Sequence, residues 1–143
     1  MEENHNQKGK KLILLVEDEI TIATLMKLRL EEAGYEVITA SDGFLAISLA
    51  RSKKPDLILL DLMLPKLDGF TVCKLIKSSD TTKNIPIIAV TARVSPQDME
   101  RGFEVGCDAY LTKPTDFPTL LNKISELLKN KNETSPPESS KPE

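Results

Sequence analysis

The sequence predicts an α/β protein in which helices cover both faces of a parallel sheet. Five short apolar segments alternate along the chain with five patterns typical of amphipathic helices. Such alternation favours parallel strands joined by right-handed crossovers. The central segment, Leu57–Leu60, contains only leucine and isoleucine. An apolar run without polar alternation suits a strand that is buried on both faces, as in a sheet between two helical layers.

The predicted elements follow from apolar runs, caps and breakers. The five strands are predicted at Lys11–Val16, Tyr35–Ala40, Leu57–Leu60, Ile87–Thr91 and Ala109–Thr112. Helices are predicted over Ile20–Ala33, from Phe44 to about Lys53 after a cap and turn at Ser41-Asp42-Gly43, over Gly69–Lys77, over Pro96–Val105, and from Phe117 to about Lys129. Asp42, Asp68 and Ser95 precede three of these helices as N-caps, and Thr115 or Asp116 caps the last.

The size and charge of the chain predict one ordinary cytoplasmic domain. The chain has 143 residues and a net charge of −3, which does not favour nucleic acid or an anionic membrane. The acidic N-terminus does not resemble a secretory signal. We expect a disordered lead at residues 1–10, one domain at 11–129, and a disordered tail or linker at 130–143, where Pro, Ser and charge predominate.

Several kinds of catalytic site are excluded by the scarcity of histidine and cysteine. His5, the only histidine, lies in the predicted lead, so histidine-based zinc sites and Ser-His or Cys-His pairs are excluded from the core. Cys73 and Cys107 are far apart and lack CxxC spacing. Both fall in or beside predicted helices, and we interpret them as buried, reduced thiols.

Polar side chains gather at the ends of the predicted strands. Glu17 and Asp18 follow the first strand, Asp61 follows the third, Thr91 ends the fourth, and Lys113 follows the fifth. Parallel strands place their carboxyl ends on one edge, where α/β sheets bind ligands. Three carboxylates close together need a compensating cation, and hard oxygen ligands suit Mg²⁺.

This inventory predicts a phosphoryl-transfer site. A hydroxyl and an ammonium opposite the metal suit an anion with several oxygens, and Asp61 lies between the two as a possible nucleophile. Each residue also has a plain structural interpretation, in which the acids only cap the first helix, Thr91 is an ordinary strand residue and Lys113 is solvated. Four such coincidences at matching strand ends favour function.

The motifs at these strand ends resemble the receiver domains of two-component response regulators. The matching blocks are Val16–Glu19, Leu60–Pro65 with Asp68-Gly69, Val90–Ala92 and Tyr110–Pro114. They occur in order, and the resemblance covers about Lys11 to Lys129. The segments Asp68–Cys73 and Asn84–Pro86 are most similar to receivers of cell-cycle regulators and diguanylate cyclases.

The resemblance implies a flavodoxin-like sheet with strand order 2-1-3-4-5. It also implies a signalling switch, and not an enzyme beyond its own phosphorylation and slow dephosphorylation. Asp61 would accept a phosphoryl group from a histidine kinase or phosphotransfer protein in a Mg²⁺-dependent reaction. The surface formed by the fourth helix, fifth strand and fifth helix would then change and control a downstream protein. The chain would be a monomer or a phosphorylation-dependent dimer.

Roles for single residues are carried over from the resemblance. Asp18 and Asp61 would bind Mg²⁺ directly, Glu17 would assist through water, and the backbone carbonyl of Met63 would complete the protein ligands. Glu17 replaces the more usual Asp, for which we expect an altered affinity and no loss of binding. Lys113 would contact a phosphoryl oxygen and precede a cis bond to Pro114.

Two further residues are implied as the switch. Thr91 would move to the phosphoryl group, and Tyr110 would move inward with it. Tyr110 also has a simpler interpretation as a half-buried aromatic residue without a switching role.

Two positions suggest how fast the phosphoryl group is lost. Met63 lies two residues after Asp61, and Arg93 lies two residues after Thr91, so both are expected near the phosphoryl group. Hydrolysis needs an oriented water, and methionine offers no strong donor or acceptor to hold one. We therefore hypothesise slow self-dephosphorylation.

Two alternatives remain. A metal-dependent phosphohydrolase of the haloacid dehalogenase type normally has a second acid two residues after its nucleophile, where this chain has Met63. A pseudo-receiver would bind partners without phosphate, but Asp61, Thr91 and Lys113 are all present. A dinucleotide-binding domain is excluded because no glycine-rich loop follows the first strand. We expect a single-domain regulator and leave its kinase and target open.

Overall fold

A computed structural model describes residues 9–93 and 95–132. The strands and helices alternate throughout. In chain order they are β1 Leu12–Val16, α1 Ile20–Glu32, β2 Glu36–Ala40, α2 Gly43–Lys53, β3 Leu57–Leu60, α3 Gly69–Ser78, β4 Ile87–Thr91, α4 Pro96–Glu104, β5 Ala109–Thr112 and α5 Phe117–Asn132. The element bounds lie within one residue of the predicted ones except at the end of α5.

The five strands form one parallel sheet. The strand order is β2-β1-β3-β4-β5, and the register aligns Val16 with Leu60 and with Ala40. At the other side of the sheet Thr91 pairs with Thr112. The predicted fold class and the order 2-1-3-4-5 are therefore confirmed. The alignment also brings the residues that follow β1, β3, β4 and β5 to one edge.

Each strand contributes to two cores because its side chains alternate between the faces of the sheet. In β3, Ile58 and Leu60 pack with α2 and α3, whereas Leu57 and Leu59 pack with α1 and α5. All four residues of β3 are at most 1% exposed. The unbroken apolar run is thus explained by burial on both faces.

The predicted caps hold the helix starts in place. Asp42 accepts the backbone N–H of Leu45 at 2.9 Å, and Asp68 accepts that of Thr71 at 3.1 Å. Ser95 accepts the N–H of Asp98 at 3.0 Å. The sequence left the cap of α5 open, and Asp116 takes this position by accepting the N–H of Thr119 at 3.0 Å. These bonds satisfy N–H groups that the first helical turn leaves without partners.

Helix α5 extends beyond the predicted end of the domain. Helix α5 continues to Asn132, so helical structure extends past residue 129, where the domain was predicted to end. The predicted disorder at residues 1–8 and 133–143 lies outside the described residues. No helix in the described ranges has the length and apolar character needed to cross a membrane.

Helix α1 differs from the other helices in what it leaves exposed. Its sequence contains apolar residues at Ile20, Ile22, Leu25, Met26, Leu28 and Leu30, but only Ala23 and Leu30 are buried. Ile20, Leu25 and Leu28 are 77%, 56% and 54% exposed. The apolar stripe is wider than the surface of the sheet that α1 covers, so part of it faces outward beside the carboxyl edge of the sheet.

Candidate functional site

Asp61 lies at the carboxyl edge of the sheet, where the predicted site was expected. Its backbone N–H donates to the carbonyl of Val16 at 3.1 Å, which continues the pairing of β3 with β1 by one residue. The residue is 8% exposed. One carboxylate oxygen, Oδ1, accepts the N–H of Met63 at 2.9 Å. The nearly buried acid is therefore held by the loop that follows β3.

Two further acids lie beside Asp61. Glu17, Asp18 and Asp61 each offer a carboxylate oxygen, and these oxygens lie within 4.8 Å of one another. Glu17 is 7% exposed, whereas Asp18 is exposed. Glu17 Oε2 also accepts the N–H of Glu19, the residue that caps α1, at 3.2 Å. Helix α1 has no side-chain cap at Glu19, and the bond from the Glu19 N–H holds Glu17 beside the cluster.

Lys113 reaches the acidic cluster from the end of β5. Its backbone N–H donates to the backbone carbonyl of Thr91 at 2.8 Å. Its ammonium donates to Glu17 Oε1 at 2.8 Å and to Asp61 Oδ2 at 3.0 Å. Burial lowers the pKa of Lys113, but the hydrogen bonds to Glu17 and Asp61 outweigh that effect and raise the pKa above its ordinary value. The lysine is therefore a fixed positive charge, and its bond to Pro114 is cis, as the resemblance implied.

Thr91 and Tyr110 are connected through the backbone of Arg93. The Thr91 side chain is fully buried, and its hydroxyl accepts the N–H of Arg93 at 3.3 Å. The Tyr110 hydroxyl donates to the carbonyl of Arg93 at 2.7 Å. Tyr110 is 9% exposed and its ring lies beside Gly102, so it already occupies an inward position in this structure.

The two residues proposed to tune phosphoryl loss are placed differently. Met63 follows Asp61 in the loop, and it is 53% exposed. The guanidinium of Arg93 pairs with Asp98 at 3.2 Å and lies 5.4 Å from the centre of the Phe70 ring. Arg93 is thus anchored to α4 and α3 by its side chain, while Met63 presents an apolar side chain to solvent beside the acid.

One arrangement was not predicted from sequence. Cys73 and Cys107 are free and buried, as expected, but their sulfur atoms lie 3.6 Å apart. The two residues are 34 positions apart in the chain. Spacing gave no signal for this pair, because the contact depends on how α3 packs against the segment between α4 and β5.

The donor set of the acidic cluster fits a hard divalent cation. All three acids offer oxygen atoms, and among the described residues one ammonium, that of Lys113, is paired with two of them. One positive charge does not balance three carboxylates, and Mg²⁺ prefers carboxylate oxygens together with water. The cluster lies at the carboxyl edge of a doubly wound sheet, where ligands bind, and a carboxylate held there beside a cation can act as a nucleophile toward a phosphoryl group.

Comparison with known proteins establishes the family. Residues 13–125 match the family model of the response regulator receiver domain, and the chain belongs to this family. It is 45% identical over 117 residues to the DNA-binding dual master transcriptional regulator RpaA of Synechocystis, covering 82% of this chain and 48% of RpaA. It is 40% identical over 118 residues to the polar-differentiation response regulator DivK of Brucella anthropi, covering 82% of this chain and 96% of DivK.

A solved structure of another receiver domain shares the fold. The receiver domain of the sensor histidine kinase PA1611 from Pseudomonas aeruginosa holds a magnesium ion in its active-site cleft. It matches with a TM-score of 0.79 and 32% identity, over 84% of this chain and 98% of that one. The chain is therefore a receiver domain of two-component signalling. It spans about half the length of RpaA.

Proposed function

We propose that Asp61 is the residue that accepts the phosphoryl group, supplied by a histidine kinase or phosphotransfer protein. The observation that carries this proposal is the position of its carboxylate, which is 8% exposed and lies between the Lys113 ammonium and the Met63 N–H. In the transfer, an Asp61 oxygen bonds to phosphorus while the bond between phosphorus and the donor nitrogen breaks. Lys113 is already close enough to meet the arriving oxygens.

Asp18 and Asp61 are proposed to hold Mg²⁺, with Glu17 assisting through water and the backbone carbonyl of Met63 as a further ligand. When bound, Mg²⁺ offsets negative charge on the phosphoryl oxygens. The fit rests on the carboxylate oxygens that lie within 4.8 Å of one another. Lys113 bonds two of these three acids, which leaves Asp18 as the acid without a bond to this lysine.

Thr91 and Tyr110 are proposed to report phosphorylation to the surface of α4, β5 and α5. The bond from Arg93 to the Thr91 hydroxyl is long, at 3.3 Å, and a phosphoryl oxygen is a stronger partner for that hydroxyl. Tyr110 is already buried and bonded to Arg93. Phosphorylation therefore retains Tyr110 in this position, and does not bring it in from solvent.

The kinase is proposed to dock beside Lys113. A groove there is lined by Ile22, Leu25 and Met26 of α1 together with Pro114 and Phe117. Within this groove Ile22 and Leu25 are 40% and 56% exposed, and an exposed apolar patch of this kind suits a partner that must approach Asp61. We further propose that the protein is cytoplasmic and has one receiver domain at residues 11–129. Its own chemistry would be limited to its phosphorylation and dephosphorylation.

The test is phosphorylation by acetyl phosphate and Mg²⁺, followed by intact mass. Wild type is expected to gain one phosphoryl group, and Asp61→Asn none, because an amide is not a nucleophile for this transfer. Asp68→Asn is the matched control, since it removes an acid that only caps α3 and keeps a good cap. It should be labelled like wild type.

An unlabelled wild type would contradict the proposal and favour a pseudo-receiver. Turnover of a phosphate monoester would instead favour a phosphohydrolase. Label that persists in Asp61→Asn would place the acceptor elsewhere.

The phosphorylated state is proposed to be long-lived because the exposed Met63 side chain cannot hold an attacking water. Met63→Asn introduces a donor and an acceptor at this position and should shorten the lifetime of the phosphoryl group several-fold, as measured by intact mass after acetyl phosphate is removed. Met63→Leu introduces neither and should decay like wild type. Equal decay in all three proteins would refute the role of Met63.

A further inference from the structure

The buried contact between Cys73 and Cys107 is not used by phosphoryl transfer. Cys73 lies on α3, and Cys107 lies between α4 and β5. Their sulfur atoms are 3.6 Å apart, and the side chains are 0% and 6% exposed. A disulfide bond is about 2.05 Å long, so the sulfur atoms need to approach by only about 1.5 Å. This is a small movement for two residues that are distant in sequence.

The two thiols are not equivalent. Cys73 can donate to Cys107, and it also lies 3.5 Å from the carbonyl of Val105. The hydrogen bond with Cys107, together with burial, raises the pKa of Cys73. The same hydrogen bond lowers the pKa of Cys107. Burial and the Asp108 carboxylate raise the pKa of Cys107, and the Lys77 ammonium lowers it. Cys107 is also the more exposed of the two, at 6% against 0%, so it is the sulfur that a small molecule reaches first.

We propose that Cys73 and Cys107 are an oxidation site at which a small peroxide produces an intramolecular disulfide. The Cys107 thiolate attacks one peroxide oxygen, the O–O bond breaks, and Cys107 becomes a sulfenic acid with release of hydroxide. The Cys73 sulfur then attacks the Cys107 sulfur, its proton leaves with the hydroxyl group as water, and the S–S bond forms. Two electrons pass from the thiols to the peroxide.

The position of the pair gives the disulfide a structural consequence. A Cβ placed on Gly102 would lie 4.0 Å from the Cys107 sulfur and 3.0 Å from the Tyr110 ring. A disulfide would therefore tether α3 to the end of α4 and to the start of β5, beside Tyr110. The oxidised protein should show slower backbone hydrogen exchange across residues 102–110 than the reduced protein.

The experiment treats the folded chain with hydrogen peroxide, denatures it, alkylates it with N-ethylmaleimide and measures the intact mass. Wild type should lose two hydrogens and take up no maleimide. After dithiothreitol it should take up two. The Asp61→Asn variant should behave in the same way, which separates this proposal from the phosphoryl site.

The matched controls are Cys73→Ala and Cys107→Ala, with serine variants if either fails to fold by circular dichroism. Neither should lose two hydrogens. Cys73→Ala should accumulate a sulfenic acid on Cys107 that dimedone traps, whereas wild type should trap little. The proposal is overturned if peroxide leaves two alkylatable thiols in wild type, adds oxygen without removing both thiols, or links two chains through a disulfide.

Discussion

Two partly buried lysines at opposite edges of the sheet hold different kinds of partner. At the carboxyl edge, the ammonium of Lys113, whose side chain is 25% exposed, donates to the carboxylates of Glu17 and Asp61. Lys77, whose side chain is 18% exposed, donates to the Ile85 carbonyl at 2.7 Å and to Asp108 at 3.0 Å. Asp108 in turn accepts the N–H of Ile87, where β4 begins.

The comparison shows how the same residue type serves two purposes. In the function proposed above, the carboxylates that Lys113 holds also meet a cation and a phosphoryl group, so the contacts of this lysine would be exchanged during function. The backbone carbonyl that Lys77 holds belongs to the buried Ile85, and a buried carbonyl has a large cost when it loses its donor. Lys77 is therefore structural, and Lys113 belongs to the site.

The largest effect is expected for Lys77→Met, which keeps the aliphatic stem and removes the ammonium. It should lower the free energy of unfolding by about 2 kcal/mol, because a carbonyl and Asp108 lose a charged donor. Urea denaturation measures the loss. Lys83→Met is the matched control, since its pair with Asp80 is exposed and should change stability by less than about 0.5 kcal/mol. Equal losses of unfolding free energy in Lys77→Met and Lys83→Met would contradict the structural role of the Lys77 ammonium.

A smaller effect is expected for Lys113→Met, which leaves Glu17 and Asp61 without their shared ammonium. Without Mg²⁺ the free energy of unfolding should fall by roughly 1 kcal/mol. Added Mg²⁺ should stabilise this variant more than wild type, because the cation offsets the uncompensated charge. Chemical denaturation with and without Mg²⁺ measures both. A second change, Asp61→Asn, should reduce that dependence, and a variant that ignores Mg²⁺ would contradict the proposed cation site.

The smallest effect is expected from pH. The folded protein raises the pKa of Lys113 above its ordinary value of 10.5. A raised lysine pKa contributes stability that is fully present below the pKa of the unfolded chain and is lost as pH rises through the folded pKa. The stability difference between wild type and Lys113→Met should therefore shrink at pH above about 10.5. A stability difference between the two proteins that stays constant across that pH range would show that it does not come from the Lys113 ammonium.

Much of the site could be predicted because parallel strands end together. Asp61 and Lys113 each follow a short apolar run, and the sheet brings both ends to one edge regardless of details in the helices. Periodicity was sufficient to place the strands and helices. The order of the strands came from the resemblance, since alternation alone does not say which strands are neighbours.

Other features depend on tertiary packing that the sequence does not encode locally. The contact of Cys73 with Cys107 joins segments 34 residues apart. The apolar pattern of α1 predicted a broad face, but only packing decides that Leu25 and Leu28 remain exposed. The inward position of Tyr110 likewise results from the space left by Gly102, where a Cβ would lie 3.0 Å from the ring.

The backbone of Arg93 joins the two switch residues, and this has a consequence for divergence among relatives. The N–H and the carbonyl of residue 93 make the bonds to Thr91 and Tyr110, and every amino acid except proline supplies both groups. The Arg93 side chain is engaged separately with Asp98. Evolution can therefore replace the side chain at this position by any residue other than proline and still retain the two backbone bonds to Thr91 and Tyr110.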